Sequence, residues 1–123
     1  MKLLIDANIL LDVLQKREPH YRDSSMIWKL CETKQVSGYV STLSFANLVY
    51  VMRKELSAEQ IEEILRALSL IFEFVELSVS DLSYAAKMKW DDFEDAVQSA
   101  TAERNHTDYI ITRNIRDFKK SSV

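Results

Sequence analysis

The sequence predicts an α/β domain in which a parallel β-sheet is covered by helices on both faces. Short apolar segments that suit buried strands alternate along the chain with segments of helical period. The connections between successive strand segments are long enough to contain helices, as crossovers between parallel strands require. The 123 residues suffice for one domain, residues 1–123, that buries most of its apolar surface.

The first predicted strand ends at an acidic residue. Leu3, Leu4 and Ile5 form a continuous apolar run, which predicts a strand buried on both faces, and Asp6 follows at once. The carboxyl ends of parallel strands are where such sheets bind ligands and metals. Asp6 is therefore a candidate for chemistry, although an Asp at this place suits the N-cap of the next helix equally well.

Two helices and a strand are predicted next. Asn8 is a candidate N-cap for a helix that reaches residue 15, and Pro19 precedes a second helix over residues 20–33. Residues 36–40 predict the second strand. Ser44 is then expected to cap an apolar helix that reaches residue 56, which would place Asn47 at its N3 position.

The second half of the chain continues the alternation. A capping box that begins at Ser57 predicts a helix with an apolar face. The following elements are expected to be a strand over residues 71–79, a short helix capped by Ser80 or Asp81, a long helix from Asp91 or Asp92 to Asn105, and a strand over residues 109–112.

Composition limits the kinds of site that the chain can build. Hydrophobic residues make up 47% and charged residues 28%, as is usual for a globular domain. One Cys excludes an internal disulfide, and one Cys with two His does not provide the usual ligands of a zinc site. Any metal ion would therefore be held by oxygen atoms.

Charge and hydropathy bear on the class of protein and on its cellular location. The formal net charge of −3 argues against a nucleic-acid binder that relies on a basic surface. It does not argue against an enzyme that holds cations with clustered acids. Because no signal peptide or membrane span is recognisable, the expected location is the cytoplasm.

The densest acidic cluster of the sequence is the run from Asp91 to Asp95. Acids in a first helical turn stabilise the helix, and Asp92 with Asp95 suits a capping pair. Helical geometry also predicts that Asp92 and Asp95 share one side, whereas Glu94 points away into solvent. Two carboxylates held close together repel each other unless a cation lies between them or one is protonated. A divalent metal site is therefore a second interpretation of this run.

A polar segment follows the last predicted strand. It is either a loop that caps a final turn or an anion-binding edge. In the second interpretation the Thr112 hydroxyl, Arg113 and Arg116 suit phosphate oxygens, and Asn114 or Asp117 adds another oxygen ligand.

Four motifs in order make the chain resemble the PIN-domain family over essentially its whole length. They are Asp6 in Leu-Ile-Asp-Ala-Asn, Ser44-x-x-Asn47, Asp92-Phe-Glu-Asp95-Ala, and Thr112-Arg-Asn114-x-x-Asp117-Phe. The resemblance implies a three-layer Rossmann-like fold with four or five parallel strands, the first four in the order 3-2-1-4. It also implies a ribonuclease site in which acids bind Mg²⁺ or Mn²⁺.

The resemblance also implies roles for individual residues. Asp6 and Asp95 match the core metal ligands, and Asp92 and Asp117 match supporting acids of the same catalytic and metal site. Asn8, Ser44, Thr112 and Asn114 are expected to support the site, and Arg113 and Arg116 to bind substrate. The family usually has Glu where this chain has Asn47, and an amide binds a divalent cation less strongly than a carboxylate does.

The leading functional expectation is a metal-dependent endoribonuclease. Many small members of the family are toxins of prokaryotic toxin–antitoxin pairs, so the resemblance implies an RNA substrate, a small antitoxin partner and a homodimer. Asn47 motivates an alternative, a catalytically weakened module that binds RNA or protein. A phosphoacceptor signalling domain is disfavoured, because Ala7 and Asn8 stand where that class needs a second acid beside Asp6.

Overall fold

The computed structural model describes residues 1–113, which form a sheet flanked by helices. The elements in chain order are β1 (Lys2–Ile5), α1 (Ala7–Leu14), α2 (Tyr21–Glu32), β2 (Ser37–Ser41), α3 (Thr42–Val51), α4 (Ala58–Ile71), β3 (Glu73–Val75), α5 (Val79–Met88), α6 (Phe93–Arg104) and β4 (Tyr109–Ile111).

The strands between residues 1 and 113 form one parallel sheet in the order β3-β2-β1-β4. In its centre, Leu3 of β1 lies opposite Gly38 of β2 on one side and Tyr109 of β4 on the other. The predicted fold class and strand order are therefore confirmed. Since all the strands are parallel, their carboxyl ends lie along one edge, and residues that follow β1 and β4 become neighbours there.

The core lies on both faces of the sheet. Leu3 and Ile5 belong to a buried cluster that also includes Leu10 of α1 and Leu48 of α3, whereas Leu4 packs on the opposite face with Ala102 of α6. All three strand residues are buried, so the prediction that β1 is covered on both sides is confirmed. The third layer consists of α5 and α6, which make extensive contact with each other.

Two helix caps differ from the predicted ones, and at α1 the structure selects one of two candidates. There Asp6, not Asn8, occupies the N-cap position. Ser41, not Ser44, caps α3, because the Ser41 hydroxyl comes at the end of β2 and accepts a hydrogen bond from the Ser44 backbone N–H at 3.0 Å. Ser78 caps α5 through a reciprocal capping box with Asp81.

Two element lengths also differ from the predicted ones. The third strand covers only Glu73–Val75, because α4 continues through Ile71 and the α5 capping box takes up residues from 78 onward. Helix α3 ends at Val51 instead of reaching residue 56, and a turn separates it from the capping box that starts α4. None of the helices described between residues 1 and 113 is both long and apolar enough to cross a membrane.

Candidate active site

Asp6 lies at the carboxyl edge of the sheet, where β1 passes into α1. It occupies the N-cap position, but its side chain makes no capping hydrogen bond. Instead its carboxylate accepts a hydrogen bond from the Thr112 hydroxyl at 3.1 Å. The pairing of β1 with β4 holds these residues together, since the Asp6 backbone N–H also bonds to the Ile111 carbonyl at 3.0 Å. Of the two interpretations of Asp6, the structure supports a carboxylate held at the sheet edge.

Asp92 and Asp95 come to the same edge at the start of α6. Asp92 is the N-cap, and its Oδ1 accepts a hydrogen bond from the Asp95 backbone N–H at 3.1 Å. Both residues also line a cavity that contains Asp6. The capping interpretation and the shared-site interpretation of this pair are therefore compatible, because one Asp92 oxygen caps the helix at the cavity wall.

The cavity has a volume of about 320 Å³ and lies between the starts of α1 and α6 and the second half of α3. Its polar lining consists of carboxylates and amides, contributed by Asp6, Asn8, Asn47, Asp92, Glu94 and Asp95. The apolar part of its wall includes Leu11, Tyr50 and Val51. The structure thus brings together five residues that the sequence singled out, and it adds Glu94.

The prediction that Glu94 points away from the other acids is wrong. Its carboxylate lies in the cavity and accepts a hydrogen bond from the side-chain amide of Asn47. The prediction assumed a helix with one buried side, but every residue of α6 from Ala96 to Ala102 is buried. Because the helix beyond its first turn is enclosed almost all round, periodicity does not say which neighbour Glu94 faces. Glu94 is exposed, as predicted, but it lines the cavity.

A buried polar contact orients α6 against α3. Gln98 is one helical turn beyond Glu94, and its amide nitrogen donates to the Ser44 hydroxyl. The Ser41 hydroxyl in turn donates to the Gln98 carbonyl oxygen at 3.0 Å. Ser44 is fully buried and supports this contact between the helices instead of capping α3. Because residues four apart share a helix face, the same contact directs Glu94 toward α3.

The electrostatics of the cavity disfavour two of its carboxylates. Burial raises the pKa of Asp6, and the hydrogen bond from Thr112 opposes that shift only in part. Partial burial also raises the pKa of Glu94, and repulsion by Asp92 and Asp6 adds to the effect. A cation placed between these groups would relieve both the repulsion and the cost of desolvation.

Arg113 is engaged with α1. Its guanidinium lies 3.3 Å from the fully buried carboxylate of Asp12 and 3.4 Å from the Asn8 side-chain oxygen. Asp12 also accepts a hydrogen bond from the Ser24 hydroxyl at 2.7 Å. These contacts give Arg113 a structural role beside Asp6, while substrate binding by Arg113 stays a prediction. The sequence carried a signal for the pair, since Asp12 interrupts the apolar run of α1.

The other predicted residues of this edge fall outside the described part of the chain. Asn114, Arg116 and Asp117 belong to residues 114–123, so their predicted roles in metal and substrate binding stay predictions. A fifth strand after β4 would also fall in residues 114–123, so it stays a prediction.

The donor set of the cavity suits a hard divalent cation. All of its polar side chains offer oxygen, the atom that Mg²⁺ and Mn²⁺ prefer, and no His or Cys contributes to the lining. Within residues 1–113, no three His, Cys, Asp or Glu side chains are arranged so that they could hold one ion together. Such an arrangement is not required for Mg²⁺, which usually keeps several waters and binds through one or two carboxylates.

Solved structures from several bacteria share this fold. A chain of a toxin–antitoxin complex from Klebsiella pneumoniae is 22% identical, with a TM-score of 0.73 over 95% of this chain and 90% of that one. The sarcin–ricin loop cleaving toxin VapC20 of Mycobacterium tuberculosis is 10% identical, with a TM-score of 0.74 over 95% of each chain.

A third similar structure is VapBC2 of Rickettsia felis, solved with a DNA fragment from its promoter. It is 18% identical, with a TM-score of 0.67 over 99% of this chain and 94% of that one. No curated protein matches the chain significantly.

A family model supplies the sequence relationship that these distant structures cannot. The model of the PIN domain matches residues 2–116, which is nearly the whole chain and includes Asp6, Asp92 and Asp95. The strand order agrees with the resemblance noted from the four motifs. The chain therefore belongs to the PIN-domain family.

Proposed function

We propose that this protein is a metal-dependent endoribonuclease that hydrolyses RNA phosphodiester bonds. The observation that carries the proposal is the meeting of Asp6, Asp92 and Asp95 in one cavity, although 86 residues separate the first of them from the second. Membership of the PIN-domain family and structural similarity to a toxin that cleaves RNA support the same conclusion.

In the proposed nuclease, some residues of the site would bind the metal ion and others would orient a ligand or hold the RNA. Asp6 and Asp95 would hold Mg²⁺ or Mn²⁺, with Asp92 and Asp117 in support. When bound, such an ion supplies a Lewis acid that stabilises the negative charge developing on the phosphodiester during in-line attack. Thr112 fixes the orientation of the Asp6 carboxylate through its hydrogen bond. Arg113 and Arg116 are proposed to steady the RNA backbone, Arg113 from its place beside Asn8.

The test is RNA cleavage by the purified protein with Mg²⁺ or Mn²⁺, alongside the variants Asp6→Asn and Asp95→Asn. Removal of a core metal ligand should lower cleavage by about 10²-fold or more, because both substitutions keep the shape of the side chain and remove its charge. Equal cleavage by the wild type and both variants would identify a contaminating nuclease and defeat the proposal.

We also propose that the protein is a cytoplasmic toxin that pairs with a small antitoxin and forms a homodimer. Several solved structures of the same fold are toxin–antitoxin complexes, some of them with DNA. A neighbouring gene for a small DNA-binding protein that suppresses toxicity on co-expression would support the pairing. Light scattering of the purified protein would test the dimer, and a monomeric mass at all concentrations would reject it.

One observation favours a second candidate function. Asn47 offers the cavity an amide where the family usually has an acid, which fits a module that binds RNA or protein without cutting it. Calorimetry separates the two candidates. A folded protein that binds no Mn²⁺ at millimolar concentration would favour the binding module over the nuclease.

A further inference from the structure

Glu94 is the acid of the cavity to which the proposed mechanism gives no role. It is the second residue of α6, in the first turn between Asp92 and Asp95. Its carboxylate faces α3, where the Asn47 amide donates a hydrogen bond to it. The amide that α3 contributes to the cavity therefore orients an acid contributed by α6.

Two features show that this position is built into the fold. The buried contact of Gln98 with Ser41 and Ser44 fixes the rotation of α6, and Glu94 lies on the same helix face one turn earlier. Asn47 directly precedes the fully buried Leu48 in α3, and Asn47 itself is only partly exposed. Both partners of the hydrogen bond thus belong to helices whose mutual position is set by buried groups.

The charge around Glu94 is unbalanced. Asp6 and Asp92 both repel its carboxylate, and among residues 1–113 no Lys or Arg forms an ion pair with it. Within the described part of the chain, the side chain that hydrogen-bonds to Glu94 is the neutral amide of Asn47. An acid held by a neutral donor beside other acids is well placed to contribute to the binding of a cation.

We propose that Glu94, oriented by Asn47, is the carboxylate that completes cation binding on the α3 side of the cavity. This inference rests on the proposed function. It explains how the site keeps an acid beside α3 although position 47 carries an amide. The carboxylate belongs to Glu94 of α6, and Asn47 of α3 holds it in place by the hydrogen bond.

The experiment exchanges the amide of Asn47 and the carboxylate of Glu94 between the two positions. Glu94→Gln removes the charge and keeps the size of the side chain. The double variant Asn47→Asp/Glu94→Gln returns one carboxylate to the pair, now on α3, with an amide donor opposite. Asp91→Asn is the matched control, because it removes one charge from the same acidic run at an exposed residue that does not line the cavity.

Mn²⁺ affinity of the protein without RNA is the main measurement, by calorimetry, and thermal unfolding checks that each variant folds. Glu94→Gln should weaken Mn²⁺ binding by about 10-fold to 100-fold, the double variant should recover most of that loss, and Asp91→Asn should bind like the wild type. Cleavage of RNA should follow the same order.

The inference and the proposed function fail in different ways. Wild-type Mn²⁺ affinity in Glu94→Gln, together with loss of binding in Asp95→Asn, would overturn the role of Glu94 and leave the nuclease intact. Failure of the folded double variant to recover binding would also overturn it, since the carboxylate would then not be exchangeable across the pair. Absence of both Mn²⁺ binding and cleavage in the wild type would reject the nuclease itself.

Discussion

Three aspartates in the described part of the chain differ in how close a cation lies to them. Asp81 and Asp12 are buried, and each lies beside an arginine: Arg104 donates to Asp81 at 2.9 Å, and Arg113 lies 3.3 Å from Asp12. At the carboxyl edge of the sheet, Asp6 instead shares a cavity with other acids. Asp81 and Asp12 are thus neutralised by arginines in direct contact, whereas Asp6 forms no ion pair within residues 1–113.

The two pKa shifts show the same contrast. Burial tends to raise the pKa of both Asp6 and Asp81. For Asp81 the hydrogen bonds from Arg104 and Ser78 and the charge of Arg104 together outweigh burial, and the pKa is lowered. For Asp6 the hydrogen bonds with Thr112, the Ala7 backbone and Asn8 and the charge of the more distant Arg113 do not outweigh burial, and the pKa is raised.

Breaking a paired acid should have the largest effect on stability. Arg113→Leu leaves the fully buried Asp12 carboxylate without its cation, so we expect the free energy of unfolding to fall by about 3 kcal/mol. Denaturant unfolding measures this change. The matched control is Arg66→Leu, which breaks an exposed pair with Glu62 and should cost about 0.5 kcal/mol or less.

A double variant separates the charge from the packing in this prediction. Asp12→Leu/Arg113→Leu removes both members of the pair, and it should recover a large part of the stability lost in Arg113→Leu. Equal losses in Arg113→Leu and Arg66→Leu would show that Asp12 does not depend on its arginine.

Removing the charge of Asp6, which forms no ion pair within residues 1–113, should have a smaller effect of opposite sign on stability. Asp6→Asn keeps an oxygen that can accept the Thr112 hydrogen bond and removes a charge that burial disfavours. In metal-free buffer at neutral pH we expect the free energy of unfolding to rise by about 1 kcal/mol. Asp81→Asn, the corresponding change at a paired acid, should lower it, and a loss of stability in both variants would contradict the contrast.

The pH dependence of stability should distinguish the same two residues by the sign of its slope. The pKa of Asp81 is lowered, so its stabilising contribution is present above the ordinary value of 3.8 and is lost as the pH falls through the lowered pKa. The pKa of Asp6 is raised, so the folded state binds an extra proton between 3.8 and the raised pKa, and stability falls as the pH rises through that window.

Unfolding free energies measured across acidic pH, in metal-free buffer, check both slopes. The stability of Asp81→Asn should decrease less toward low pH than that of the wild type. The stability of Asp6→Asn should decrease less than that of the wild type as the pH rises. Identical pH profiles for the wild type and Asp6→Asn would show that the Asp6 carboxylate titrates alike in the folded and unfolded protein.

The sequence predicted the fold class because its first strand and the alternation of strands with helices are clear. Leu3 to Ile5 is apolar without interruption, as only a strand buried on both faces needs to be, and the helical crossovers dictate a parallel sheet. Local signals were less decisive where several compete. Ser41, Thr42 and Ser44 all carry hydroxyls, and only the position at which β2 ends selects Ser41 as the cap.

The candidate site was predictable as a meeting of acids, but not in its detail. Asp6, Asp92 and Asp95 follow from strand ends and helix starts, which are local features. Glu94 depends on the rotation of α6, and that rotation is set by the contact of Gln98 with Ser41 and Ser44, more than 50 residues away along the chain. Pairwise packing of this kind has no periodic signature in a single sequence.

The hydrogen bond from Thr112 to Asp6 also bears on when the site can exist. The two residues are 106 positions apart, and β4 must pair with β1 in the middle of the sheet before they can meet. During translation Asp6 is synthesised early, and its partner Thr112 is synthesised 106 residues later. The hydrogen bond from Thr112 to Asp6 therefore cannot form until β4 has been synthesised and has paired with β1.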